Sequence, residues 1–244
     1  MRRTRQAFDE QLAELQQRLI EMGTFVASML ERAVRALADH DVEVARQVIA
    51  DDDIADRMDL DIEQHCMRLL ALQQPMSRDL RTIGTVMKVI ADVERIGDYS
   101  VDIAKTAIKL ANTEYFRPLE DIPRMAELVR EMLRQALESF VKRDLRLVAR
   151  VIESDDAVDK LWYRVADDVE TVMQERPEVV PQSLALLLVA RYLERVADHA
   201  VNIVERVAYM ETGRLEALAA SHGPDYQPQP EPGAPGEDRP PQDG

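Results

Sequence analysis

One run of residues in this chain occurs twice. Glu94-Arg95-Ile96-Gly97-Asp98-Tyr99-Ser100-Val101-Asp102-Ile103 returns 100 residues later as Glu194-Arg195-Val196-Ala197-Asp198-His199-Ala200-Val201-Asn202-Ile203. Asp41-Val42-Glu43-Val44-Ala45-Arg46 returns as Asp144-Leu145-Arg146-Leu147-Val148-Ala149, an offset of 103. Elements that recur in the same order at nearly one spacing come from two copies of a single unit. Any fold for this chain must therefore satisfy the same packing problem twice.

Proline marks the elements inside each copy. Residues 1–221 hold only Pro75, Pro118, Pro123, Pro177 and Pro181, and each is expected between helices, where a helix must stop. No window alternates apolar and polar residues as a strand would. Phe8, Leu12, Leu15, Leu19, Met22, Val26, Met29, Ala33 and Leu37 step by three and four, giving one long apolar seam. The expected helices are 4–38, 41–73 with Asp41 as N-cap, a third from about 78 to 112, a fourth ending near 142, then 144–175 and 182–212; a loop covers 115–123. The fold class is all-α: two tandem three-helix bundles, 1–113 and 114–215, related by the repeat. Seven of the twelve prolines fall between Pro224 and Pro241. Residues 216–244 thus read as a disordered, Pro-rich acidic tail.

Composition excludes several functions. The net charge is −15, so the chain lacks the basic surface that attracts nucleic acid or anionic lipid. Its longest apolar run, Leu184 to Ala190, is far too short to span a bilayer. The N-terminus has no continuous apolar segment of the signal-peptide kind. Cys66 is the only cysteine, so no intrachain disulfide can form. A cytoplasmic protein is expected.

The candidate chemistry is carboxylate chemistry. Glu94/Asp98 and Glu194/Asp198 are spaced four apart, on one helical face. Within about 60° of Glu94 lie Ile83, Met87, Ile90, Gly97, Val101 and Ile108, so these acids interrupt an apolar stripe. The second helix of each copy adds a pair, Asp52/Asp56 and Asp155/Asp159. Asp59 and Glu63 share that face in the first copy, but become Trp162 and Ala166 in the second. Four converging carboxylates repel one another and need a multivalent cation or compensating arginines. Oxygen-only ligation suits Mg²⁺, Ca²⁺, Mn²⁺ and also iron. Salt bridges from Arg81, Arg95, Arg191 and Arg195 are the competing account. Asp102 and Asn202, one turn further on, could bind directly or hold ligands in place, and Arg95 and Arg195 could also support them. His199 is expected to be a packing residue, and Cys66 a small buried one. A di-iron oxidase would need Glu-x-x-His, and none of the four histidines has Glu three positions before it. No nucleophile triad or Gly-rich phosphate loop is present.

Two segments carry a family resemblance. Pro75 through Lys105, with Asp79-Leu80-Arg81 and Glu94 to Asp98, resembles the first signature of the PhoU family. Arg191 to Ala200, with Asn202-Ile203 and Glu205, resembles the second. The resemblance extends over about residues 5–213, both repeats, with Ala197 standing where Gly97 stands in the first copy. The resemblance implies multinuclear iron or zinc clusters on Asp52, Asp56, Glu94 and Asp98 and on Asp155, Asp159, Glu194 and Asp198. It also implies a homodimer and a non-enzymatic regulator of phosphate uptake and phosphate-starvation signalling. The implied partners are the ATPase subunit of a phosphate ABC transporter and a sensor histidine kinase. A metal-dependent helical-bundle enzyme and a metal-free structural scaffold are the alternatives.

Overall fold

In a computed structural model that describes residues 2–73, 75–116 and 119–214, the chain forms six long helices and one 3-10 turn. They are α1 Arg2–Asp39, α2 Val42–Gln73, α3 Arg78–Leu110, α4 Asp121–Lys142, α5 Leu145–Glu175 and α6 Val180–Thr212, with the turn Pro177–Val179 before α6. No strand occurs among the described residues. The tail expected at 216–244, and Pro118, lie outside the described residues.

The proline expectation needs correction at two places. Pro123 and Pro181 are not between helices but inside the first turns of α4 and α6. The first N–H groups of a helix have no intrahelical acceptor, so a proline there sacrifices nothing. Both helices accordingly begin earlier than proline placement alone suggests. Asp41 caps α2 as expected, its Oδ1 accepting from the N–H groups of Glu43 and Val44 at 3.0 Å each. Its repeat-mate Asp144 caps α5, accepting from the N–H of Arg146 at 2.9 Å.

Each repeat packs as an antiparallel three-helix bundle, α1–α2–α3 and α4–α5–α6. The α1 seam read from the sequence is the core: Phe8, Leu15, Leu19, Met22, Val26, Met29, Ala33 and Leu37 are buried, and Leu12 packs at the edge. Burying a side chain of that size contributes roughly 1.5–3 kcal/mol. The bundles join along two lines, α3 against α6 and α1 against α4. Duplication shows in the burial pattern: the buried positions of α3, Thr82 through Leu110, recur one for one 100 residues later in α6, Gln182 through Met210.

Along the α3–α6 seam, Arg81 Nε donates to the Met210 carbonyl at 3.3 Å and Thr85 Oγ1 to the Arg206 carbonyl at 3.5 Å. Further along, His199 Nδ1 lies 2.9 Å from Asp92 Oδ1, and Tyr99 stacks on Tyr192 with centroids 5.8 Å apart. The partners advance in opposite directions, as in antiparallel helices. A local two-fold axis thus crosses the seam near Ile96 and Val196, level with the duplicated acids.

The turn after the first helix of each repeat uses a non-glycine residue in the left-handed region, His40 at φ 55 and Arg143 at φ 54. That conformation costs about 1 kcal/mol for a side chain with a Cβ. Both are anchored by neighbours. His40 stacks on Tyr115 at 4.4 Å, and Tyr115 Oη donates to the Leu37 carbonyl at 2.6 Å. Arg143 forms an ion pair with Glu211 of α6 and donates to Thr82 Oγ1 of α3 at 3.1 Å.

Candidate functional site

The local two-fold sets two carboxylate clusters at one level of the molecule, one between α2 and α3, the other between α5 and α6. In the first, Asp52 feels Asp56 and Asp98, and Glu94 feels Asp98, Asp59 and Asp56. In the second, Asp155 feels Asp159 and Asp198, and Glu194 feels Asp198 and Asp159. All eight acids expected from the repeat are therefore brought together four by four. Asp59, set aside in the sequence because its counterpart is Trp162, belongs to the first cluster. Spacing placed it on the same face of α2; the pairing of α2 with α3 brings it to Glu94.

Their depth differs from the sequence expectation. They do not point into the core. Side-chain exposure is 28% for Glu94, 38% for Asp98, 12% for Glu194 and 42% for Asp198. The reason lies in the number of neighbours. α3 packs against α1, α2 and α6, and α6 against α3, α4 and α5. Their buried arcs are therefore wide, and centred to one side of the acids. Glu94 and Glu194 sit on the shoulder of that arc, facing α2 and α5.

Burial first, and neighbouring carboxylates second, hold Asp52, Glu94 and Asp59 above the ordinary carboxylate range. The same causes act more strongly in the second cluster, where Asp155 and Glu194 are each pushed up to about 7. Asp159 is also raised, by burial and then by Asp198.

Close ion pairs from arginine reach only the α3 and α6 members of each cluster, although Arg191 also acts on Asp159 from a distance. Arg95 reaches Asp98 at 2.8 Å and Glu94 at 3.5 Å. Arg195 reaches Asp198 at 3.0 Å and Glu194 at 3.9 Å, and Arg191 reaches Glu194 at 2.6 Å. Arg81 takes no part, since its guanidinium bonds the end of α6. Among the described residues no cation forms an ion pair with Asp52, Asp56, Asp155 or Asp159. In addition, Glu194 Oε2 is buried without a hydrogen-bond partner.

Asp102 and Asn202 do not bond to the eight acids. Asp102 pairs with Lys105 at 3.2 Å, and Asn202 Nδ2 donates to Asp92 across the seam at 3.4 Å. His199 packs as expected, against Asp92 and Tyr99. The sequence reading missed Asp92, which stands where the second copy has Tyr192. Cys66 is buried, and burial pushes its thiol up to about 12.

The donor set is oxygen-only, the kind hard cations take. In the conformation of this structure no three His, Cys, Asp or Glu side chains among the described residues stand close enough to share one. A groove of about 530 Å³ between α1 and α4 has an apolar floor of Gly23, Ala27, Leu137 and Val141 and contains none of these acids.

Fold and site together define a class: duplicated all-α proteins carrying one carboxylate cluster per three-helix repeat. The PhoU domain matches this chain twice, over residues 19–107 and 122–207. The chain belongs to the PhoU family. It is 35% identical over 212 residues to the phosphate-specific transport system accessory protein PhoU homolog of Clostridium acetobutylicum, covering 86% of this chain and 97% of that one. It is 37% identical over 206 residues to the homolog of Aquifex aeolicus, covering 84% and 93%. The crystal structure of PhoU from Pseudomonas aeruginosa superposes with a TM-score of 0.82 at 34% identity, covering 85% of this chain and all of that one. That of the phosphate transport system regulatory protein PhoU from Streptococcus pneumoniae gives 0.81 at 32%, covering 86% and 100%. No helix among the described residues is long and apolar enough to cross a membrane.

Proposed function

We propose that this protein is a non-enzymatic accessory of a phosphate-specific transport system. It acts in the cytoplasm as an adaptor between the transporter's ATPase subunit and a sensor histidine kinase, and lowers the phosphate-starvation response when phosphate is plentiful. It works as a homodimer. The two carboxylate clusters hold multivalent metal, iron or zinc in the family pattern, with Mg²⁺, Mn²⁺ or Ca²⁺ suited to the same oxygens. Asp52, Asp56, Glu94 and Asp98 would hold it in the first repeat, and Asp155, Asp159, Glu194 and Asp198 in the second. Bound metal would supply positive charge that draws the paired helices together.

One observation carries the reading. The family's duplicated signatures fall, in this fold, beside two carboxylate clusters whose α2 and α5 members form no ion pair among the described residues. Such charge is costly to keep on a half-buried surface unless something neutralises it. The relatives' names supply the system in which it acts. The test mixes the purified full chain with the ATPase subunit and the sensor kinase encoded by the same organism and measures association by light scattering. Complex formation at micromolar concentration is expected; no association with either partner overturns the adaptor role.

A further inference from the structure

The repeats differ most in their first helix. α1 has 38 residues and α4 only 22, although α5 and α6 are as long as α2 and α3 to within one residue. The two first helices end at matching places, Asp39 and Lys142, so the shortfall lies at the start of α4 and amounts to roughly 24 Å of helix. Among the described residues, the end of α5 and the start of α6 thus run past α4 with no third helix beside them. The linker before α4 crosses this end: Gln182 of α6 donates to the Glu114 carbonyl at 3.0 Å and accepts from the Phe116 N–H at 3.1 Å. Next to Phe116 a cavity of about 220 Å³ remains, with Val165, Val169 and Leu186 in its wall and Asp121 and Asp168 at its edge.

The first repeat shows what the same place holds when the helix is complete. Val165 and Val169 stand where α2 has Ile62 and Cys66, and there the first half of α1 supplies Phe8, Leu12 and Leu15 to the core. Val172, in place of the buried Leu69, is partly exposed. The charges differ as well. Glu14 of α1 acts on His65 of α2, and α5 has Asp168 where α2 has His65. Residues 165–175 hold four acids, Asp167, Asp168, Glu170 and Glu175, and no lysine or arginine. A helix completing the second repeat therefore needs the apolar spacing of α1 with bases in place of its acids.

We propose that the gap left by the short α4, between the end of α5 and the start of α6, is the docking site of an amphipathic helix from another protein, with apolar residues three and four apart and lysine or arginine beside them. An apolar stripe laid into a groove between helices is a recurrent mode of recognition, and opposite charge around it sets the choice of partner. Charge also argues against two other occupants. Residues 216–244 of this chain hold six acids and one arginine, and a second copy carries the same net −15. The site shares no residue with the carboxylate clusters and needs no bound cation.

The probe is a fluorescent peptide that copies residues 4–19 with Asp9→Lys, Glu10→Lys and Glu14→Lys, which keeps Phe8, Leu12, Leu15 and Leu19. Anisotropy against the full chain is expected to show saturable binding at micromolar concentration. The unaltered peptide should bind on the order of tenfold more weakly, and Leu12→Gln with Leu15→Gln in the basic peptide should abolish binding. Asp167→Lys with Asp168→Lys in the full chain should remove the preference for the basic peptide. The same change of net charge at exposed positions of the first repeat, Glu21→Lys with Asp61→Lys, should leave that preference intact. A photoreactive benzoylphenylalanine in place of Leu119, which lines the cavity, should crosslink to the basic peptide. Helical circular dichroism confirms that each variant is folded. Failure of the full chain to bind the basic peptide, or binding that the two double reversals weaken equally, overturns the proposal. A crosslink from position 119 to residues 216–244 or to a second copy, in place of the peptide, would give the gap to that occupant and overturn it as well.

Discussion

Two positions carry tests at the scale of single residues. Arg143 pairs strain with anchorage: a left-handed backbone held by Glu211 and Thr82. Truncation to alanine removes the anchor but keeps a Cβ in an unfavourable region, so Arg143→Ala should lose about 2 kcal/mol. Arg143→Gly loses the same bonds yet relieves the backbone and should retain roughly 1 kcal/mol of that loss. Urea denaturation of both variants checks the ordering; an alanine variant as stable as the glycine one would contradict it. Asp155 carries the second test. Burial and its acidic neighbours raise it from 3.8 to about 7, so the folded chain holds this proton more tightly than the unfolded chain. Its contribution is fully present below about pH 4 and is lost as pH rises through 7. With chelator present, stability should decline across that window, and Asp155→Asn should flatten the decline. The gain at pH 8 is on the order of 1 kcal/mol, because water still reaches and screens the carboxyl. Thermal melts from pH 5 to 8 measure it, and a stability that rises over this range would refute the assignment.

At the scale of the helix, duplication makes one copy the control for the other. Gly97 of α3 corresponds to Ala197 of α6, which is fully buried. A Cβ added at Gly97 would meet Val26 Cγ2 at 3.8 Å and Ala55 Cβ at 4.0 Å, ordinary contact distances. Gly97→Ala should therefore stabilise by about 0.5–1 kcal/mol through helix propensity alone. Gly84 has open space around it and should gain similarly. Gly23 differs, since a Cβ there would collide with the Leu137 side chain where α1 meets α4. Gly23→Ala should be neutral or destabilising, and denaturation midpoints of the three variants discriminate. Helices were legible in the sequence because their apolar spacing and caps are local signals: Asp41 and Asp144 announce α2 and α5 before any packing is known. That acids of α2 and α3, and of α5 and α6, act on one another could be read ahead because the pattern is duplicated. What local signals could not show was which helices would enclose α3. With neighbours on three sides its buried arc widens, and Glu94 moves from an inferred core position to the rim. Spacing put Asp59 on the face of Asp52 and Asp56, but its approach to Glu94, like the Asp92–His199 contact, depends on a partner in another helix, so spacing along one helix held no trace of either contact.

At the scale of the molecule, the two repeats are bound too tightly to behave as separate domains. Their buried side chains form one continuous core, and α3 meets α6 through Arg81, Thr85, Asp92 and Tyr99 along most of its length. Separating the bundles would expose both sides of that seam, and the apolar part alone costs about 25 cal/mol per Å². Partial unfolding of one repeat should thus raise the free energy of the other rather than leave it intact. The chain provides its own probes for this. Trp162 emission reports only the second repeat, whereas helical circular dichroism reports both. In metal-free protein the two signals should give coincident urea transitions with a single midpoint. Tyr99→Ala, which removes the stack on Tyr192 and the contact with His199, should lower both midpoints together. It alters only α3 on its own side of the seam, so a drop seen by the tryptophan in α5 would mean that destabilisation has crossed from one repeat to the other. If the circular dichroism midpoint fell while the tryptophan midpoint stayed, the repeats would be independent folding units, and coupling between their clusters would need another route than the α3–α6 seam.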